Sequence, residues 1–140
     1  ARRTIAVLET RPVKLAQRAQ NLPLVRDTFR PDIYFIDTTY AVGPQECYDP
    51  RHPLTRQDDI HWKQILSDYA RDLFGLFGSE CGREWAVPHA DFFEGLASVS
   101  GRYYHRLDPG ELGARVVPFF DMVFHDCIAL HGKYGYDPGE

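Results

Sequence analysis

The sequence predicts an α/β fold, a partial, half (β/α) barrel with parallel strands, and three observations predict it. Short apolar runs alternate with segments of helical periodicity, which is the pattern of a parallel sheet with helical crossovers. The run Ile33-Tyr34-Phe35-Ile36 is apolar on both faces, as a strand buried on both sides of a parallel sheet would be. Acidic residues close two such runs, Asp37 after Ile36 and Glu80 after Gly78-Ser79, and strand, acid, helix, strand, acid is the order in which a barrel delivers functional groups to its C-terminal face. The 140 residues imply a single domain over 1–140. Only four or five strands fit, whereas a closed eight-stranded barrel takes about 250 residues. Three arrangements remain open: an open sheet, part of a barrel, or two copies completing one another as a homo-oligomer.

Each element has a local reason. Ile5-Ala6-Val7-Leu8 fits either strand or helix. Pro12 suits a first helical turn, and Val13, Leu15, Ala16 and Ala19 fall on one helical face. Pro23 interrupts that helix, Leu24, Val25 and Phe29 continue it as a second or kinked one, and Pro31 stops it. Residues 41–53, with Gly43, Pro44, Pro50 and Pro53, read as a long loop, and long loops inside compact domains often carry function. Thr55 followed by Asp58 resembles a capping box. Trp62, Ile65, Leu66, Tyr69, Ala70 and Leu73 then recur at helical spacing, which predicts a helix over 56–74. Leu76-Phe77 opens the next strand, 88–96 holds a third candidate, 99–112 is irregular, and 115–124 is a fourth candidate strand followed by a tail.

Composition excludes several classes. The net charge is −4 and no basic run is longer than a pair, so neither nucleic acid nor an anionic membrane is expected as a partner. No apolar stretch approaches about 18 residues, so no membrane-spanning helix is predicted. The first residues carry no signal-peptide pattern. Cys47, Cys81 and Cys127 are odd in number and widely spaced, which fits neither a disulfide framework nor a zinc motif; reduced or buried thiols are expected. No Gly-x-Ser-x-Gly elbow, Gly-x-Gly-x-x-Gly turn or phosphate-binding loop is present.

Two carboxyl groups across one bond are the machinery of glycoside hydrolysis: one ionised as nucleophile or base, the other protonated as general acid. Asp37 and Glu80 fit that requirement, since an acid directly after an apolar strand is costly unless it faces a polar cleft. A helix cap, or a bond to loop amides, is the alternative for each. Gly78, Ser79 and Gly82 allow sharp turns beside Glu80. Glu84 rivals Glu80, and Glu94, just after Phe92-Phe93, either faces the cleft or, the preferred reading, caps a helix or is solvated. Six histidines invite a metal reading through His89 with Asp91 or His125 with Asp126, but no His-x-x-x-His pair exists, and no metal or organic cofactor is expected.

The ordered motifs Asp37, Tyr48-Asp49-Pro50-Arg51-His52-Pro53-Leu54-Thr55-Arg56, and Gly78-Ser79-Glu80-Cys81-Gly82 followed by Trp85-Ala86 resemble a bacterial glycoside hydrolase superfamily of (β/α)8 barrels. That superfamily includes the endo-α-N-acetylgalactosaminidases and their relatives, and the likeness covers about 30–130 of this chain. It implies a carbohydrate substrate and a retaining mechanism, with Asp37 the nucleophile after the fourth barrel strand and Glu80 the acid/base after the fifth. On this resemblance the first three strands and the eighth lie outside the sequence. Asp121 or Asp126 would hold sugar hydroxyls. Trp85 and Tyr40 are candidates to stack on sugar rings, with core packing the alternative for the aromatics and core or rim packing for Trp85, and Arg51 and His52 either bond substrate hydroxyls or anchor the loop.

Overall fold

The computed structural model describes residues 10–96 and 117–132. Helices α1 (Thr10–Ala16) and α2 (Leu22–Phe29) precede strand β1 (Ile33–Ile36). Helix α3 (Arg56–Phe74) leads to β2 (Leu76–Glu80), a 3₁₀ turn at Glu84–His89 leads to β3 (Phe92–Leu96), and α4 (Phe119–Phe124) leads to β4 (Ala129–Gly132). The four strands form one sheet in the order β1-β2-β3-β4, every neighbouring pair parallel. The α/β class with parallel strands is therefore the observed architecture. Among the described residues no helix is long and apolar enough to cross a membrane.

Helix α3 is defined by its ends as much as by its stripe. The Thr55 hydroxyl accepts from the Asp58 amide at 3.2 Å, and the Asp58 carboxylate accepts from the Thr55 amide at 2.8 Å. This box satisfies two amides that the first turn leaves open, and losing the Thr55 side chain costs typically about 1 kcal/mol. Asp58 and Asp59 also place negative charge at the positive end of the helix dipole. Gly75 ends the helix at φ 107°, a conformation that side chains resist, and its amide reaches back to Arg71 O at 2.7 Å. The next amide, of Leu76, bonds Asp32 O at 3.1 Å, so the turn delivers β2 directly alongside β1.

The two faces of the sheet differ. Alternation sends Tyr34, Phe77, Phe93 and Leu130 to the outer face, where they join the core built with α1, α2, α3 and α4. Tyr34 stacks on Phe74 of α3 at 4.3 Å, and Phe120 and Phe124 of α4 lie 4.7 Å apart against the same cluster. The inner face carries Ile33, Phe35, Leu76, Gly78 and Phe92. Nothing among the described residues covers it, and Ile33 is 53%, Phe35 40% and Leu76 42% exposed. Continuous apolar character in β1 had implied burial on both sides; here helices cover one side alone.

Phe35 and Phe92 stack across Gly78 with centroids 6.1 Å apart. A Cβ on Gly78 would lie 2.3 Å from the Phe92 ring, so the ring occupies the space a side chain would need. Gly78→Ala should displace that ring and destabilise by about 1 kcal/mol, at the low end for over-packing because the ring can swing toward the open face. A urea melt of Gly78→Ala beside Gly78→Ala/Phe92→Ala checks this. An unchanged midpoint with Phe92 ring resonances unmoved would contradict the packing described.

Several boundaries depart from the sequence expectation. The expected fourth strand over 115–124 is helix α4 in its described part. Short apolar runs do not distinguish strand from helix by periodicity; Phe120 and Phe124, four apart, pack together on one helical face. The actual fourth strand, Ala129–Gly132, falls in what reads as a tail. Pro23 sits in the first turn of α2 rather than interrupting a helix. Within 88–96 the strand begins at Phe92, after the 3₁₀ turn. The Ile5–Leu8 run, the irregular stretch 99–112 and the end of the tail lie outside the described residues.

Candidate active site

Register places three acids in one row at the C-terminal ends of β1, β2 and β3. Ile36 pairs with Ser79, so Asp37 and Glu80 are the next residues on adjacent strands, and Glu80 itself pairs with Glu94. Pairing in parallel strands puts opposed side chains on one face, here Glu80 and Glu94 on the inner face with Phe35, Gly78 and Phe92, while Asp37 follows β1 in a turn. Glu80 is 8% exposed, Glu94 is half-buried and Asp37 is exposed. Glu94 does not cap a helix; it is a half-buried strand residue paired with Glu80, which corrects the preferred reading and agrees with the alternative that it faces the same side as Glu80.

Each of the three acids is followed by a residue in the left-handed region: Thr38 at φ 62°, Cys81 at φ 59° and Gly95 at φ 73°. Such conformations are uncommon for side-chain-bearing residues, and they tend to cluster at functional sites. After Glu94 the β3–β4 register also shifts between Phe93 and Leu96, and irregularities of this kind re-aim side chains beside active sites. Gly95 alone signals any of this in the sequence.

A set of bonds holds the two strand ends together. Ser79 Oγ donates to Ile36 O at 2.7 Å, directly before Asp37. The Asp37 carboxylate accepts from the Thr38 amide at 2.9 Å, turning the chain over its own strand end. Arg83, three residues after Glu80, donates to Tyr40 O at 2.8 Å and Ala41 O at 3.2 Å, clamping the segment after Asp37 to the segment after Glu80. The backbone amide of Cys81 donates to Glu94 O at 2.7 Å. Arg83 was not singled out by the sequence and Ser79 only as a turn former, though it lies extended in β2, because their partners are carbonyls brought near only by the fold.

The remaining candidates scatter. Tyr40 is fully buried, with Phe77, Trp85 and Phe93 packed edge-on around it and its hydroxyl bonded to Ser67 Oγ. Burial raises its phenol pKa well above the usual range. With its ring enclosed, Tyr40 is a core residue and not a sugar platform. Trp85 is half-buried against the core, and its carbonyl accepts from Gln64. Arg51 is exposed and grips Asp49, whose carboxyl it holds well below the usual carboxylate range. His52 faces Cys47 and Asp49. Asp121 lies on α4, a helix of the outer face, and Asp126 in the turn before β4, at the opposite end of the sheet from the carboxylate row.

The metal pairs separate too. His89 bonds Asp68 at 2.9 Å while Asp91 accepts from the Phe77 amide at 2.8 Å. Among the described residues no three of His, Cys, Asp and Glu are grouped to hold a metal ion.

A cavity of about 300 Å³ lies between β1 and α3, lined by Asp37 together with Val13, Ile36, Val42, Trp62 and Leu66. Asp59 lines it, fully buried, with Oδ2 accepting from the Gln45 amide at 2.7 Å and from Lys63 Nζ at 3.1 Å. Glu80 and Glu94 do not line this cavity, so it is not the space between the row of acids.

No family model and no curated protein matches the sequence. The structure is similar to the α-N-acetylgalactosaminidase NagBb of Bifidobacterium bifidum in its ligand-free form, with a TM-score of 0.57 and 25% identity over 69% of this chain and 16% of that one. The GalNAc complex of the same enzyme gives a TM-score of 0.54 and 25% identity over 69% and 15% of the two chains. A quadruple mutant gives 0.57 at 24% identity over 76% and 18%. The chain thus spans less than a fifth of the enzyme it matches. Four parallel strands in sequential order, with helices over one face, are a fragment of a larger barrel related in fold to glycoside hydrolases.

Proposed function

We propose that this chain carries the catalytic half-site of a retaining glycoside hydrolase, with Asp37 as nucleophile, Glu80 as acid/base and an α-linked N-acetylgalactosaminide as substrate. The observation that supports it most is the register of the two acids on adjacent strands. Parallel strands run about 4.8 Å apart. Retention needs carboxyls about 5–5.5 Å apart, whereas inversion leaves about 6.5–9.5 Å for a water. Neighbouring strand ends match the shorter requirement. Asp37 attacks the anomeric carbon as Glu80 gives its proton to the leaving oxygen. Glu80 then takes a proton from the water that releases the sugar. Glu94, in line with both, accepts hydrogen bonds from sugar hydroxyls. The substrate class follows that of the structural neighbour, an α-N-acetylgalactosaminidase. Release of 4-nitrophenol from its α-N-acetylgalactosaminide by the purified chain tests the reading. A folded sample without turnover, or turnover indifferent to Asp37→Asn, sinks it.

A second reading, a non-catalytic remnant that associates with its own kind, draws on the bare inner face. Ile33, Phe35 and Leu76 expose apolar surface that water disfavours, and β1 and β4 offer open edges. It predicts concentration-dependent self-association in sedimentation equilibrium, reversed by Phe35→Glu. A monomer at every concentration tested would remove this reading.

A further inference from the structure

Within the loop before α3, Cys47, His52 and Asp49 stand in line. Cys47 Sγ lies 3.3 Å from His52 Nδ1, and His52 Nε2 lies 3.4 Å from Asp49 Oδ2. The Asp49 amide donates to the same sulfur at 3.4 Å. Two backbone bonds of 2.8 and 2.9 Å between Cys47 and Leu54 close the loop around the group. A nucleophile within reach of a base, with the base oriented by a third residue, is the general arrangement for activating a thiol. We propose that Cys47, His52 and Asp49 form a reactive-thiol site, separate from the carboxylate row, that is modified by small uncharged electrophiles such as hydrogen peroxide.

The surroundings assign the roles. Arg51 binds both oxygens of Asp49, at 3.0 and 2.7 Å, and keeps this carboxyl ionised. An ionised carboxylate can only accept, so His52 presents Nε2–H to Asp49 and leaves the Nδ1 lone pair toward the sulfur. The other two thiols lack this arrangement. Burial pushes the Cys81 thiol up, and Cys127 is pushed up by the Asp126 carboxylate that accepts its S–H. Cys47 is buried, 6% exposed, so modification is confined to small uncharged reagents, and large or charged ones are not expected to reach it.

With peroxide, the sulfur attacks one oxygen and the O–O bond breaks. The thiol is oxidised by two electrons to a sulfenic acid, and the peroxide is reduced to water. His52 takes the thiol proton and passes it to the departing hydroxide. With iodoacetamide, a C–S bond forms, iodide leaves, and His52 Nδ1 keeps the proton.

The test is iodoacetamide labelling of the folded chain at pH 7, read at each cysteine by peptide mass spectrometry. Cys47 is expected to react about 10-fold faster than the exposed Cys127, and His52→Gln to slow Cys47 by about 10-fold without changing Cys127, a conservative figure for a lost general base. Asp49→Asn should slow Cys47 as well and serves if His52→Gln does not fold. Dimedone trapping after peroxide should find the sulfenic acid at Cys47. A parent chain in which Cys47 reacts no faster than Cys127 overturns the proposal without any variant. So does a His52→Gln protein, folded by circular dichroism, whose Cys47 rate is unchanged or raised.

Discussion

Asp37→Asn is expected to lower glycoside turnover on the order of 10⁴-fold or more, the scale of losing a member of a covalent catalytic unit. An amide cannot supply the negative oxygen that forms the glycosyl-enzyme bond, so every substrate should be affected alike. Glu80→Gln should behave differently. Loss of a general acid costs about 10²–10⁴-fold where the leaving oxygen needs a proton. A 2,4-dinitrophenyl glycoside leaves without one, so its glycosylation step should survive in Glu80→Gln, with turnover then limited by hydrolysis of the intermediate. A burst of dinitrophenol followed by a slow steady state is the expected record. Equal losses on both substrates in Glu80→Gln would remove the acid role. Similar turnover in Asp37→Asn and the parent would remove the nucleophile.

The largest stability effect is expected at Phe77. Its side chain is fully buried on the outer face of β2, with Tyr40 edge-on at 6.4 Å, and its amide and carbonyl are both fixed by Asp91 at 2.8 Å. Phe77→Ala should cost about 3–5 kcal/mol, a large part of the about 5–15 kcal/mol that holds a typical domain. At an m value of about 2 kcal/mol/M the urea midpoint falls by about 2 M. Phe35→Ala, on the inner face of β1 and 40% exposed, should cost no more than about 1 kcal/mol. The ratio of the two reads out which face of the sheet is the core. Comparable losses would mean that something covers the inner face in solution.

Local signals were legible along much of the described chain. Helix α3 runs from Arg56 to Phe74, where the Thr55–Asp58 box and the apolar stripe place it, because capping and periodicity are properties of neighbouring residues. β1 and β2 appear where the apolar runs that end in acids place them. Asp37 and Glu80 were readable as a candidate pair, and the pairing of Glu80 with Glu94 was not. Glu94 joins through the β2–β3 register, and register depends on how distant segments pair.

The failures share one cause. The run over 115–124 reads as a strand from its apolar residues, and packing of Phe120 and Phe124 against the core makes its described part a helix. Tyr40, a polar-tipped aromatic beside an acid, resembles a ligand platform until Phe77, Trp85 and Phe93 close around it. His52 meets Cys47 because a bridge to Leu54 folds the loop back on itself.

By itself, then, the sequence determined the parallel α/β class, helix α3, the first two strands and the acids that end them, because helix periodicity, caps and apolar runs act over a few residues. The tertiary structure decided which face of the sheet is bare, which acids stand in line, and which aromatics are enclosed. Those depend on contacts between residues far apart in the chain, such as Ser79 with Ile36 and Arg83 with Tyr40, each 43 positions apart, that no local pattern encodes.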